Sequence, residues 1–191
     1  LNELDLTVHE KEIVALIGPN GAVKTTFFNC VTGIYKPTGG TMYLTTRDGN
    51  QHLLNGMKTH AITALGMART FQNIRLFSEM TVLENVMIGR HCRTHAGILS
   101  ALLRDPGTVR EEQDTIDKSY DLLKTVGLEN FWNETARNLP YGAQRRLEIA
   151  RALATEPILL LLDEPAAGMN PQETNELKAL IRSLRDSYDL S

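Results

Sequence analysis

The feature that most constrains this chain is a glycine-containing turn between an apolar run and a helix-like segment. Residues 13–17 (Ile-Val-Ala-Leu-Ile) are continuously apolar, which is typical of a strand buried on both faces. The turn at residues 18–26 follows, and residues 24–32 show a helical pattern that ends at Gly33. A strand, a turn and a helix N-terminus together predict an anion-binding loop, because backbone N–H groups and the helix dipole favour negative charge there.

This turn fits the phosphate-loop pattern G-x-x-x-x-G-K-[ST] except that Val23 replaces the second glycine. We predict that Lys24 reaches the β- and γ-phosphates of a nucleoside triphosphate and that the Thr25 hydroxyl ligates Mg²⁺. Glycine permits positive φ, which a β-branched valine fits poorly, so we hypothesise that Val23 weakens nucleotide binding. The alternative is that the loop relaxes and binds anyway. The other residues predicted to line the nucleotide here are Gly18, Pro19, Asn20, Gly21, Ala22 and Thr26.

A second polar site is predicted at the end of residues 158–162, five consecutive apolar residues followed by Asp163 and Glu164. Ligands of open α/β sheets bind at the carboxyl ends of the strands. Asp163 is therefore predicted to hold Mg²⁺, and Glu164 to polarise the water that attacks the nucleotide. The alternative is a pair of solvated acids that cap a loop.

The order of predicted elements favours a mostly parallel α/β core with a small antiparallel β part and an inserted helical region. Residues 4–8 alternate as in a half-buried strand, and the Asp-Gly pair at residues 48–49 predicts a hairpin turn. Capping-box patterns begin helices after Thr81 and after Asn170. We predict one domain over residues 1–191, with a nucleotide-binding core at 1–74 and 156–191 and a helical insert at 75–155.

Composition restricts the function classes. With 191 residues and a net charge of −3, the chain carries no basic surplus that would indicate nucleic-acid binding. Its two cysteines support neither a disulfide framework nor a zinc site.

Taken together, the motifs resemble the ATP-binding subunit of ABC transporters, which have a P-loop NTPase fold. The resemblance rests on the segments 18–26, 71–77, 139–144, 158–165 and 166–171, whose order and spacing match the family. The segments 69–73, 141–151 and 166–171 are similar to the ATPases of branched-chain amino acid importers.

This resemblance implies further roles. Gln72 becomes the Q-loop glutamine that touches Mg²⁺ and the attacking water, and Lys24 and Glu164 join it as catalytic residues. The signature turn, with Tyr141, Gly142, Ala143 and Gln144, meets ATP held by a second ABC subunit, in a homo- or heterodimer. Asn170 takes the D-loop position. The implied partners are transmembrane permease subunits at the cytoplasmic face of the membrane, and no nucleic acid.

Departures from the family pattern leave rival hypotheses open. Pro140 replaces the signature serine and Ala143 its glutamine, and proline supplies neither hydroxyl nor N–H. No histidine follows Glu164, where the family has its switch histidine, and the chain begins too late for the family's adenine-stacking aromatic residue, so the domain is expected to be truncated at both ends. One rival is therefore an inert or binding-only ABC module, and others are a cassette for a different substrate or a soluble ABC ATPase of DNA repair or translation.

Overall fold

The computed structural model describes residues 4–18, 22–93 and 106–191 of the chain. Its α-helices are α1 (Ala22–Val31), α2 (Thr59–Ala64), α3 (Val82–Arg90), α4 (Pro106–Thr125), α5 (Tyr141–Leu153) and α6 (Pro171–Tyr188). Its strands are β1 (Tyr43–Thr45), β2 (Gln51–Leu53), β3 (Met67–Arg69) and β4 (Leu159–Leu161). Short 3-10 helices lie at His91–Arg93, Glu129–Phe131 and Ala136–Asn138.

The strands form one antiparallel and one parallel pair. β1 and β2 pair antiparallel around a turn in which Gly49 has a φ of +81°, as the Asp-Gly pair predicts. β3 pairs with β4 in parallel, with Met67 opposite Leu159 and Arg69 opposite Leu161. The parallel pair brings residues 70–72 and 162–164, which follow the two strands, to the same edge.

The predicted strands at residues 4–8 and 13–17 are wrong for the structure described here. Residues 4–8 are exposed and assigned to no strand, and Ile17 keeps 94% of its surface exposed. The position beside β4 is occupied by Ser191, which donates its N–H to Ile158 and accepts from the N–H of Leu160. Residues 13–17 are thus not bonded to β4. An apolar run forms a strand only where a neighbouring segment supplies hydrogen bonds to its backbone N–H and C=O groups.

The main hydrophobic core lies among α3, α4, α5 and α6. Its large, fully buried members are Leu123, Leu128, Leu147, Ile149 and Leu184. In the described part of residues 75–155 the regular elements are helices, but the division into core and insert stays a prediction because α6 shares this core.

Both predicted capping boxes are present. The Thr81 hydroxyl accepts from the Glu84 N–H, and the Glu84 carboxylate accepts from the Thr81 N–H in return. Asn170 and Glu173 do the same at the start of α6. These bonds satisfy backbone donors that the first turn of a helix leaves free.

A smaller core joins the β1–β2 hairpin to α2 and β3 through Leu44, Leu54, Ile62 and Met67. Arg69 connects this region to α1, because its Nη1 donates to Asn29 at 2.7 Å. None of the described helices has the length and hydropathy that a membrane span requires.

Candidate functional site

The phosphate loop is described on both sides of a gap. Pro19, Asn20 and Gly21, all predicted to line the nucleotide, lie outside the described residues. Across this gap, the Lys24 ammonium donates to the Gly18 carbonyl at 3.2 Å. Thr25 is exposed near the N-terminus of α1, where free N–H groups and the helix dipole favour a phosphate.

Val23 lies inside the first turn of α1, together with Ala22. Its backbone is therefore helical, so the expectation that this position demands positive φ is wrong here. Any weakening of nucleotide binding by Val23 has to come from its side chain, and that hypothesis stays a prediction.

Gln72 and Glu164 are brought together at the carboxyl edge of the parallel pair. The Gln72 side-chain amide donates to the Glu164 carboxylate at 2.9 Å, and both residues are exposed. Glu164 has a φ of +46°, a left-handed conformation that costs a non-glycine residue about 1–2 kcal/mol. Strain of this kind clusters at functional sites, where the surrounding structure holds it in place.

Asp163 is buried and paired with Arg69. Arg69 Nη2 lies 2.9 Å from Asp163 Oδ2, and the two side chains are only 5% and 7% exposed. The guanidinium also donates to Asn29 on α1 and lies over the rings of Phe28 and Phe71, 5.3 and 5.1 Å from their centroids. Arg69 thus joins the phosphate-loop helix to the acid that follows β4.

The predicted metal ligands share a donor chemistry that suits Mg²⁺. Asn29 lies one helical turn after Thr25 on the same face of α1, so Thr25 belongs to the side of the helix that faces Asp163. Thr25, Gln72 and Asp163 offer hydroxyl, amide and carboxylate oxygens, the hard donors that Mg²⁺ prefers. Among the described residues there is no cluster of three or more His, Cys, Asp or Glu placed to hold a metal ion. These side chains suit a Mg²⁺ that also takes substrate phosphates as ligands, which is its usual binding mode.

The signature turn is attached to the D-loop of the same chain. The Tyr141 hydroxyl donates to the Ala167 carbonyl at 2.9 Å, and its ring lies against Gly168, where an added Cβ would come within 3.4 Å. Pro140 is the N-cap residue of α5 and makes no side-chain capping bond. The first N–H groups of α5 remain available to an anion, as in any helix.

The remaining predicted binding residues are engaged within the chain. Ala143 is buried in the main core, and Gln144 donates from its amide to the Leu139 carbonyl at 2.9 Å. Gly142 faces Glu173 so closely that an added Cβ would lie 2.8 Å from its carboxylate oxygen. Asn170 accepts the capping bond of α6. Contact of these residues with nucleotide therefore stays a prediction.

Sequence reasoning missed the charged residues beneath the site. Arg69 ends β3 after two apolar residues, and Arg145 and Glu148 stand three residues apart among the apolar residues of α5. Arg145 is fully buried and Glu148 is 2% exposed. A charge at a position that the hydrophobic period assigns to the core is the signal that would have found them.

Comparison with known proteins identifies the family. The family model described as "ABC transporter" matches residues 1–167. The chain is 50% identical, over 99% of its length and 72% of the relative's, to the high-affinity branched-chain amino acid transport ATP-binding protein LivG of Escherichia coli (strain K12).

Solved structures give the same result. MJ1267, an ATP-binding cassette of an ABC transporter, superposes with a TM-score of 0.78 at 27% identity, covering 96% of this chain and 70% of that one. The dimeric structure of MJ0796, a bacterial ABC transporter cassette, gives 0.74 at 26% identity, covering 96% of this chain and 74% of that one. With its P-loop NTPase fold and its nucleotide-site motifs in register, this chain belongs to the ABC transporter family of ATP-binding cassettes.

Proposed function

We propose that this chain is the ATP-hydrolysing subunit of an importer for branched-chain amino acids, with Mg²⁺-ATP as its substrate. The substrate class rests on the 50% identity to LivG over almost the whole chain. The ATPase chemistry rests on one observation above all, the hydrogen bond between Gln72 and Glu164 at the edge where Asp163 and the phosphate-loop helix also meet.

Each side chain has a defined task in this proposal. Lys24 holds the β- and γ-phosphates, and the N-terminus of α1 adds its dipole. Glu164 accepts a proton from the attacking water while Gln72 orients that water. Mg²⁺, held by Thr25, Gln72 and Asp163, supplies charge neutralisation at the phosphates. Phosphoryl transfer depends mainly on positioning and electrostatic stabilisation, which are what these groups provide.

The proposed assembly is a dimer with a second ABC ATPase subunit, either another copy or a related chain, bound to permease subunits at the cytoplasmic face of the membrane. MJ0796 was solved as a dimer. Tyr141 at the start of α5 is 44% exposed, so part of its ring is available to a partner's nucleotide, although its hydroxyl is bonded to Ala167 and Arg145.

ATPase activity of the chain, compared with Glu164→Gln, tests the enzymatic part. We expect hydrolysis at neutral pH that Glu164→Gln reduces on the order of a hundredfold or more, since general-base catalysis contributes about 10²–10⁴-fold. Activity no greater than that of Glu164→Gln would favour the inert module instead.

Reconstitution tests the substrate. The chain would be assembled in proteoliposomes with the permease subunits with which it purifies, and uptake of leucine compared with that of arginine. ATP-dependent uptake of leucine alone supports the proposal, whereas uptake of another solute alone assigns a different substrate. Purification with nucleic acid in place of a permease would indicate the repair or translation class.

Val23→Gly tests the altered phosphate loop. If the valine side chain crowds the phosphates, Val23→Gly binds ATP more tightly than the natural chain, as calorimetry can measure. Equal affinities would mean that the loop accommodates valine without loss.

A further inference from the structure

We propose that Arg145 and Glu148 are positioning residues that clamp the backbone of the Q-loop and link it, through Tyr141, to the D-loop of the same chain. This inference rests on the proposed ATPase function, because the residue held in place is Gln72. It follows from a buried ion pair whose hydrogen bonds are directed almost entirely at the backbone next to the site.

The clamp begins where the β-ladder ends. The last ladder bond from this segment runs from the Thr70 N–H to the Leu161 carbonyl, after which β4 gives way to the Asp163 turn. Phe71 is half-buried, so its backbone groups need other partners, because buried backbone groups are almost always hydrogen-bonded, whereas Gln72 is exposed.

Arg145 and Glu148 provide those partners. Arg145 Nη1 donates to the Phe71 carbonyl at 2.7 Å, and Nη2 donates to the Gln72 carbonyl at 2.8 Å. Glu148 accepts from the Phe71 N–H at 3.3 Å, and its other oxygen accepts from Arg145 at 2.8 Å. The pair thus replaces the missing strand partner, and the forked guanidinium binds two successive carbonyls, which a lysine cannot do.

Gln72 is consequently held at two points. Its carbonyl is fixed by Arg145 and its side-chain amide by Glu164. A shift of the carbonyl would move the amide away from Glu164, and misplacement of a reacting group by about 1 Å can cost on the order of a hundredfold in rate.

Tyr141 extends the link to the D-loop. Arg145 Nη2 donates to the Tyr141 hydroxyl at 3.3 Å, and that hydroxyl donates to the Ala167 carbonyl at 2.9 Å. One buried guanidinium therefore bridges the Q-loop, the first turn of α5 and the segment after Glu164.

The energetics argue against a merely structural role. Arg145 Nε is buried without a hydrogen-bond partner among the described residues, so the pair is not the most stable filling of this space. Buried ion pairs are often replaced by apolar residues without loss of stability, so this pair is not explained by core stability alone.

The test compares the natural chain with the double variant Arg145→Met/Glu148→Leu, which keeps the volume of the pair and removes the clamp. Arg90→Met is the matched control, because Arg90 is 7% exposed and paired with Glu156 at 3.0 Å, with no bond to the Q-loop. Hydrogen exchange of peptides covering residues 70–74 is measured with ATP binding, kcat and KM.

We expect the double variant to lose amide protection at residue 71, whose N–H bonds to Glu148, to bind Mg²⁺-ATP within about twofold of the natural chain, and to lose at least about tenfold in kcat. Arg90→Met keeps both kcat and the protection of residue 71. Unchanged exchange at residue 71, or an unchanged kcat once protection is lost, overturns the proposal.

Two milder variants keep the proposal testable if the double variant does not fold. Arg145→Lys retains the charge but cannot hold both carbonyls, so kcat falls while KM is unchanged. Tyr141→Phe loosens residues 166–168 in exchange and leaves residue 71 protected. An unchanged kcat in Arg145→Lys, or unchanged exchange at residues 166–168 in Tyr141→Phe, means that the link removed by that variant does not exist.

The exchange measurement needs no catalysis. A natural chain without ATPase activity would refute the proposed function, and the clamp would then be tested by the exchange of residue 71 alone.

Discussion

Replacement of Arg69 by methionine is expected to cost this chain a large part of its stability. The guanidinium faces Asp163 at 2.9 Å with both side chains more than 90% buried, and it also holds Asn29 at 2.7 Å. Arg69→Met leaves the Asp163 carboxylate buried without a counter-charge. Breaking a buried pair in this way costs about 3–5 kcal/mol, compared with about 5–15 kcal/mol for the total stability of a domain.

Urea unfolding without nucleotide or Mg²⁺ measures this loss. With a slope of about 2 kcal/mol per M, the expected fall in the midpoint is about 2 M. Arg90→Met is the matched comparison, because the partner of Arg90, Glu156, is 53% exposed and can be solvated when it is left alone. We expect it to lose only about 1 kcal/mol.

The double variant Arg69→Met/Asp163→Leu distinguishes the free-energy cost of an unpaired buried carboxylate from the cost of lost packing. It removes both charges, so it is expected to be more stable than Arg69→Met by at least about 1.5 kcal/mol. An Arg69→Met loss below about 1 kcal/mol, or a double variant no more stable than the single one, would refute the assignment of a costly unpaired carboxylate.

Two further predictions concern stability. Gly89→Ala is expected to destabilise the chain by about 1–3 kcal/mol in chemical denaturation, because its Cβ would lie 2.3 Å from the Arg151 carbonyl oxygen, even though alanine favours helix. The substitution Ser183→Ala, at an exposed position, serves as its control. Equal stability of the two variants would contradict the close approach of Gly89 to Arg151. The bonds that Glu84 accepts from the Thr81 N–H, and then from the Thr81 hydroxyl, lower the pKa of Glu84 below its ordinary value. The stability that this carboxylate adds is therefore present above its unfolded pKa and is lost as the pH falls through the folded pKa. The unfolding midpoints of the natural chain and Glu84→Gln should differ at neutral pH and converge in acid, and a difference that persists in acid would contradict this.

Local signals in the sequence predicted much of the fold. The capping boxes at Thr81 and Asn170 and the Asp-Gly turn before β2 formed as expected, since each depends on residues within three or four positions of one another. The helix after the phosphate loop and the parallel strand before Asp163 also followed from short-range pattern.

The predictions that were wrong concern segments whose structure depends on residues far away in the sequence. Residues 13–17 have the composition of a buried strand, yet Ile17 is exposed, and Ser191 is bonded beside β4. Val23 was expected in a backbone conformation that glycine favours, but the helix already begins at Ala22.

By itself, the sequence determined the class of this protein and the residues available for its chemistry. The family follows from motifs whose order and spacing survive in the linear chain, and so does the identity of Lys24, Gln72 and Glu164. Tertiary structure alone decided which charges support them, because Arg69 meets Asp163 across 94 positions and Arg145 meets Gln72 across 73. Pairing over such separations depends on where the strand ladder stops and which backbone groups it leaves unsatisfied, and no local pattern carries that information.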